Sequence, residues 1–290
     1  MNRETELAII RRAYSKQVLC DAETSSQRLE DAFAEVRRED YLGPGPWPLC
    51  RWWEHYIWSP SADPVYLYTN APVGIDPERR INNGQPSFHA RSIAQARPVQ
   101  GEHVVHIGAG VGYYTAILAT LVGDAGRVTA VEYDSELAQR SRKNLSRFST
   151  VTVVHGNGAE VNFDHAEVIY INAGVTRPEN RWLDAMAEGG RMILPLTSNL
   201  GFTAPSSSEE MKQHGGVFLI ERHGNDFTAR LISAVRIIPA EGLRDFESEA
   251  LVAEAFTKGR GDAVSRLYRR ADIPDDRCWL RGTDWSLAYS

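Results

Sequence analysis

Apolar residues recur at helical spacing through the first forty positions: Leu7, Ile10, Tyr14 and Val18, then Leu29, Phe33 and Val36. Two N-terminal helices are therefore predicted. The pattern breaks in YLGPGPWPLCRWWEHYIWSPSADPVYLY, which carries four of the seven tryptophans (Trp47, Trp52, Trp53 and Trp58) among five prolines. Proline at that density forbids a continuous helix, so an irregular, aromatic-rich element is expected. Two readings stay open for it: a hydrophobic lid over the core, or a surface for a substrate or partner.

From His103 the text becomes regular. EHVVHI, RVTAVEYD, TVTVVHGNG, AEVIYINAG and RMILPLT read as strands. YYTAILATLVG, SELAQRSRKNLSRF (Leu137 and Leu145 buried) and RWLDAMAEGG read as the helices between them, the last ending on glycine. That rhythm means βαβ units and a parallel sheet. GVFLIERHG and FTARLISAVRIIP then follow as an antiparallel hairpin. In the tail from Arg244, LVAEAF and DAVSRLYRR read as two short helices. The predicted fold is α/β, a doubly wound Rossmann-like sheet with a terminal antiparallel hairpin strand and N-terminal helices. The expected division is an N-terminal helical region with the aromatic insert and the acceptor-side segment (1–100), a ligand-binding core (101–242) and a C-terminal helical extension (243–290).

The composition narrows the class of partner. A net charge of −6 over 290 residues argues against a general nucleic-acid binder. Cys20, Cys50 and Cys278 are far apart and form no CxxC pair, so neither a metal site nor a disulfide framework is predicted. The N-terminal residues lack the apolar core of a signal peptide, and no apolar run reaches membrane-spanning length. A soluble, cytoplasmic protein is expected.

The chemistry concentrates at a glycine turn. The strand ending at Ile107 meets Gly108-Ala109-Gly110-Val111-Gly112, and a helix follows at Tyr113. Glycines there let the backbone turn sharply and approach a ligand, which the helix N-terminal amides then face. At the end of the next strand Glu132, followed by Tyr133, is placed to accept hydrogen bonds from ribose hydroxyls. A dinucleotide and S-adenosylmethionine (SAM) both suit that pair. The sixth position of the dinucleotide fingerprint is Tyr113 instead of glycine, and SAM carries no pyrophosphate for that glycine to accommodate. With the late hairpin, typical of a methyltransferase sheet, SAM is the expected cofactor. The third strand ends at Asn157-Gly158. Asn157 either bonds the adenine amine or simply forms a turn.

With these residues in place the sequence resembles the protein-L-isoaspartate O-methyltransferase family. VVHIGAGVGYYTAILATLVG with RVTAVEYDSELAQRSRKNL is similar to the family's cofactor region. GNGA is similar to its GDG(S/T) element, LDAMAEGGRMILPL to its LKPGGRLVIPV strand, and FLIERHGNDFTARLISAVRIIP to its closing hairpin. YSKQVLCDAETSSQRLEDAFAEVRREDYL resembles its N-terminal helices. The resemblance implies a class I SAM-dependent methyltransferase that methylates a carboxylate of a peptide or protein. It places the cofactor at Ile107, Gly108, Ala109, Gly110, Gly112, Tyr113, Glu132, Tyr133, Asn157 and Gly158.

The departures bear on the acceptor. The family carries TIS-x-P-x-x-x-A before the cofactor strand, with a serine implicated near the acceptor. Asn82-Asn83-Gly84-Gln85-Pro86-Ser87-Phe88-His89-Ala90 stands there in this chain, so the serine position is Gly84. Asn82, Asn83, Gln85 and Ser87 are candidate replacement donors. His89 is either a base for a less acidic acceptor or a packed histidine. Arg79 and Arg80 either attract a carboxylate or form a solvated charge pair. The aromatic insert and the tail are expected to reshape the acceptor pocket or provide a homodimer surface. Alternatives are a same-fold methyltransferase with a dedicated peptide or small-molecule acceptor, and a SAM-binding protein without turnover; a nicotinamide oxidoreductase ranks last.

Overall fold

The computed structural model describes residues 2–51, 55–199 and 214–289, so Trp52, Trp53 and most of the polar loop after Asn199 lie outside the described residues. The chain divides into two compact units. One comprises Met1–Glu102 and Ala109–His155, and the other His103–Gly108 and Gly156–Ser290.

The first unit opens with α1 (Arg3–Asp21), whose N-cap Asn2 accepts a hydrogen bond from the Thr5 amide, and α2 (Gln27–Glu35), capped by Ser26. Of the positions the spacing marked, Leu7, Tyr14 and Val18 on α1 and Leu29 and Phe33 on α2 are buried, whereas Ile10 is half-buried and the buried Val36 lies just past α2. Tyr14 and Phe33 meet at 6.5 Å between ring centroids. Behind α3 (Glu39–Leu42) the buried Arg38 donates to the carbonyls of Leu67, Thr69 (2.9 Å) and Ala71 (3.3 Å). Its guanidinium also lies 5.7 Å from the Tyr14 and Tyr113 rings. A permanently charged fork held this way pins the loop from Leu67 to Ala71.

The aromatic segment is more ordered than its prolines suggest. β1 (Pro48–Arg51) and β2 (His55–Trp58) form an antiparallel hairpin, with Pro48 opposite Trp58. Prolines cluster before and after these short strands; Pro48, inside β1, opens it at the strand's first residue, where proline is tolerated. Burial differs along the segment. Trp47 joins Leu42, Leu49, Leu67 and Val73 in a buried cluster, whereas Ile57 and Trp58 are exposed. A second small pair, β3 (Gly74–Asp76) and β4 (Ile81–Asn82), joins the hairpin through an isolated bridge between Leu49 and Val73. Helix α4 (Pro86–Ala96) follows, with proline at the position helices accept it. After Ala109 the unit adds α5 (Tyr113–Val122), β6 (Arg127–Glu132), α6 (Ser135–Asn144) and β7 (Val151–His155). β6 and β7 are parallel, with Glu132 in register with His155.

The second unit takes its first strand, β5 (His103–Ile107), from between α4 and α5. It continues with β8 (Ala166–Ile171), α7 (Asn180–Ala185), β9 (Met186–Thr197), β10 (Gly215–His223) and β11 (Asp226–Ala234). β5, β8 and β9 pair in parallel, while β10 runs antiparallel between β9 and β11, as the hairpin signal predicted. RWLDAMAEGG departs from expectation. The helix stops at Ala185, and Met186 already pairs with Ala166. The glycines do not cap a helix. Gly189 (φ +70°) and Gly190 lie in β9, where its register against β8 shifts. An extra stretch in one strand needs a residue free to take a left-handed turn.

The tail is corrected more strongly. α8 (Phe246–Lys258) extends the predicted LVAEAF helix, but DAVSRLYRR forms one 3-10 turn and then a strand, β12 (Arg266–Tyr268). β13 (Cys278–Arg281) and β14 (Ser286–Ala288) follow, giving the strand order β13-β14-β12-β11-β10-β9-β8-β5 within this unit. The region 243–290 is therefore not a helical extension. β11 offers an open edge, and Leu267, buried between outward Arg266 and Tyr268, fits a strand there. Trp279 locks the tail down, its ring 5.6 Å from Phe218 and 5.1 Å from Phe256. Among the described residues no helix is long and apolar enough to cross a membrane.

Candidate active site

Within the first unit, the loop from Ala109 to Gly112 leaves the strand region on a hydrogen bond from the Ala109 amide to the Val131 carbonyl (3.1 Å). Gly110 (φ +57°) and Gly112 (φ +93°) both adopt left-handed backbone conformations. Their surroundings differ. A Cβ on Gly112 would sit 2.8 Å from Leu145 Cδ1, so that glycine closes the loop onto the end of α6. Among the described residues a Cβ on Gly110 would meet only Ile75 Cδ1, at 4.0 Å, so that glycine faces open space there.

Glu132, at the carboxyl end of β6, is buried, and both its oxygens are oriented by backbone. Oε2 accepts from the Gly110 amide at 2.6 Å and Oε1 from the Asp134 amide at 2.9 Å. Burial raises its pKa above the usual carboxylate range, against the lowering effect of those two bonds. Asp134 caps α6 by accepting from the amides of Glu136 and Leu137, both at 2.9 Å, and Arg79 Nη1 reaches its other oxygen at 2.7 Å. The Leu137 bond first, and Arg79 beside it, hold the Asp134 carboxyl below its ordinary value. Arg79 is thus committed to an ion pair. Sequence reasoning passed over Asp134, although Asp-Ser-Glu ahead of a helical run is a capping signature.

Tyr133 is exposed, and its carbonyl lies 3.1 Å from His155 Nε2. Tyr113 opens α5 directly after the loop. Its side chain is buried against Tyr41 (5.7 Å) and Tyr114 (4.9 Å), with burial pushing its hydroxyl pKa up, so its ring belongs to the core.

The acceptor-side candidates are mostly amides and hydroxyls, each tied to a different partner. Asn82 donates to Tyr56 Oη (3.1 Å) and accepts from the Gly84 amide (2.8 Å). Asn83 accepts from the Val73 amide (2.8 Å). Ser87 is engaged by Asn70, whose oxygen takes the Ser87 amide and whose amide donates to Ser87 Oγ, both at 2.9 Å. Gln85 is the N-cap of α4 and makes no side-chain cap there. His89 is buried and stacked on Tyr114, the centroids 3.6 Å apart and the planes at 20°. Asn70 and Tyr114 carried no signal in the sequence, because each is recruited by a residue distant along the chain.

In the second unit, Ile107 is buried and Gly108 (φ +78°) packs against Asn172, whose carbonyl oxygen would be 3.2 Å from an added Cβ. The Asn172 amide donates to the Ile107 carbonyl at 2.8 Å. A polar residue just beyond a parallel strand's carboxyl end is the signal that marks Asn172. Asn157 donates to the Gly242 carbonyl (3.1 Å) and to Glu160 (3.3 Å), and accepts from the Ala159 amide (3.0 Å). These are the bonds of a turn-former. Gly158 has no room for a side chain: an added Cβ would be 2.6 Å from Ile107 Cγ2. Among the described residues no group of three or more His, Cys, Asp or Glu is arranged to hold a metal.

The profile of the protein-L-isoaspartate(D-aspartate) O-methyltransferase family matches residues 53–216, more than half of the chain. The chain belongs to this family. A protein-L-isoaspartate O-methyltransferase of Thermotoga maritima is 28% identical over 185 residues, 62% of this chain and 54% of that relative. The chain spans about half the length of the first curated relatives it matches, 54% and 51%. A solved protein-L-isoaspartate O-methyltransferase superposes with a TM-score of 0.63 at 21% identity, covering 95% of this chain and 87% of that one. A beta-aspartate methyltransferase from Plasmodium falciparum, solved with S-adenosyl-L-homocysteine, gives 0.59 at 16% identity, covering 79% and 97%. At these identities the likeness establishes the fold: the methyltransferase α/β fold expected from the strand–helix rhythm.

Proposed function

We propose that the chain is a SAM-dependent methyltransferase that methylates a carboxylate of a peptide or protein, with Ala109–Gly112 and Glu132 on the cofactor side and Asn82–His89 on the acceptor side. The observation that carries this reading is the Glu132 carboxylate, aimed by the Gly110 and Asp134 amides at the end of β6. A carboxylate has about four lone-pair sites, so the amides that hold Glu132 still leave it able to accept from a ribose hydroxyl. The open space at Gly110, which a Cβ would begin to fill, admits the rest of such a ligand. The residues present fit the cofactor.

SAM supplies, when bound, an electrophilic methyl group on a sulfonium. The acceptor carboxylate is already an anion at neutral pH, so this chain need not remove a proton. Its residues have two tasks: to hold the acceptor oxygen in line with the methyl carbon, and to keep water out. A segment of neutral amides and hydroxyls around Gly84 suits that work, since it orients an anion without trapping it in a strong ion pair.

The test is methyl transfer from radiolabelled SAM to an isoaspartyl peptide beside its normal aspartyl twin. Base-labile label on the isoaspartyl peptide alone is the expected result. SAM binding without label on either peptide would sink it. A second reading, transfer to a different peptide or small-molecule acceptor, is favoured by one observation: Gly84 carries no hydroxyl. Label appearing on another carboxylate but not on the isoaspartyl peptide would select it.

A further inference from the structure

The loop from Ala109 to Gly112 is anchored at each of its residues. The Ala109 amide donates to Val131, the Gly110 amide to Glu132, and Gly112 lies against Leu145. Val111 is held through its carbonyl, which accepts from Asn144 Nδ2 at 2.9 Å. Asn144 is the last residue of α6, and its side chain leaves that helix in two directions. The same Nδ2 donates to the carbonyl of Tyr41, in α3, at 3.3 Å. Both hydrogens of one amide therefore go to main-chain carbonyls, 33 and 103 positions away in the chain.

Neither bond is needed to end α6, which closes on the Leu145 amide donating to the Ser141 carbonyl at 2.9 Å. The loop has more need of them. Gly112 (φ +93°) has no side chain to resist rotation of the Val111–Gly112 peptide. Turned over, that peptide would present a carbonyl oxygen beside the first turn of α5, where the amides favour an anion. Asn144 draws the oxygen back against α6. On the other side of the same peptide, the Gly112 amide closes the turn on the Ala109 carbonyl at 3.0 Å. Helix α3 enters this arrangement twice, since the Tyr41 ring also meets Tyr113, the first residue of α5, at 5.7 Å between centroids.

We propose that Asn144 is the positioning residue of the cofactor loop: it fixes the Val111–Gly112 peptide with its carbonyl turned from the cofactor, and it ties that state to α3. Asn144 touches neither cofactor nor acceptor and acts through Val111 and Tyr41. The proposal rests on the methyltransferase reading above, in which this loop receives SAM. The coupling is reciprocal: SAM binding steadies α3, and a docked α3 steadies the loop.

The test measures SAM affinity by calorimetric titration, and backbone hydrogen exchange at Asp40–Gly43 with and without SAM. Wild type is compared with Asn144→Leu, which keeps a similar shape and has no donor, and with Arg147→Ala. Arg147 pairs with Asp40 of α3 at 3.6 Å, so its loss loosens α3 and leaves the bond to Val111 in place. Asn144→Leu is expected to weaken SAM binding about tenfold. It should raise KM for SAM and leave kcat at saturating SAM within about twofold. SAM is expected to slow exchange at Asp40–Gly43 in wild type and not in Asn144→Leu. Arg147→Ala, which removes an exposed pair, should change SAM affinity by less than about twofold. Unchanged affinity in Asn144→Leu would overturn the proposal. An equal loss in Arg147→Ala would also overturn it, by making Asn144 no more than a docking contact for α3. Should Asn144→Leu fold poorly, Asn144→Ala, which only shortens the side chain, gives the same readings. A wild-type protein that binds no SAM overturns the proposed function and this inference together. SAM bound without methyl transfer overturns the function alone, and affinity and exchange still decide the role of Asn144.

Discussion

Two short stretches of the first unit turn on left-handed glycines, and their surroundings are opposite. At Gly110 the position of a side chain is open, with Ile75 4.0 Å away, and the neighbouring carboxylate of Glu132 is held by backbone amides. At Gly84 that position is filled by the His89 imidazole, and the bonds around it come from neutral amides and hydroxyls. The first arrangement holds a buried anion with an opening beside it, which on the proposed reading serves a cofactor with hydroxyls and a cationic centre. The second fills the same position with a packed ring and ties the backbone down with an amide and a hydroxyl. A positive φ therefore says only that glycine is needed. The atoms beyond the missing Cβ say why.

The largest effect should come from removing the anion of the first region. Glu132→Ala is expected to weaken SAM binding about a hundredfold, near 3 kcal/mol, since two charge-assisted bonds are lost and the Gly110 and Asp134 amides are released. Calorimetric titration with SAM measures it. Unchanged affinity would mean that the region is not built around the ribose, and the contrast with Gly84 would collapse.

Next in size is a pair of substitutions within the loop itself. Gly112→Ala meets both a left-handed backbone and Leu145 at 2.8 Å, so it should destabilise the protein by about 2–3 kcal/mol. Gly110→Ala meets only the backbone cost, about 1 kcal/mol, but places a methyl group in the opening and should weaken SAM binding. Denaturant unfolding and SAM titration on both variants separate the two. If Gly110→Ala binds SAM as wild type does, the open space there is not the cofactor's.

The pH response sharpens the same contrast. Glu132 has a folded pKa above its ordinary 4.5, so its ionised form is lost early as pH falls. SAM affinity should drop by about tenfold one unit below that raised value. Asp134 has a folded pKa below 3.8. The stability it gives α6 is fully present above 3.8 and is lost only as pH falls through the lower folded value. Affinity should therefore fail before helix α6 loosens. In Glu132→Gln the affinity should be flat across that window; a drop that persists would assign it to another group.

How much of this was legible in the sequence depended on the range of the interaction. The loop glycines, Glu132 and the strand–helix rhythm are set by neighbours within a few residues, and each appeared where the pattern placed it. The tail was misread because Leu267 sits in a run whose apolar spacing suits a helix or an edge strand, and only the open edge of β11 decides. The direction of the Tyr113 ring was not legible, because it depends on Tyr41 and Arg38, far away in the chain. Gly84 was read as a missing hydroxyl and not as a space already occupied, since nothing local announces that His89 folds back onto it.

The smallest expected effect lies in the second unit and tests whether a residue at a family cofactor position is spent on the fold. Asn157 gives its amide hydrogens to the Gly242 carbonyl and Glu160, and its oxygen to the Ala159 amide. Asn157→Asp keeps the acceptor but removes both donors, and it sets a carboxylate against a carbonyl and a second carboxylate. A loss of about 1 kcal/mol in stability is expected, with little change in SAM affinity, because the bonds broken are those of a turn. Unfolding and SAM titration on this one variant read both quantities. Stability intact with affinity altered would move Asn157 to the ligand's side of the comparison, beside Glu132.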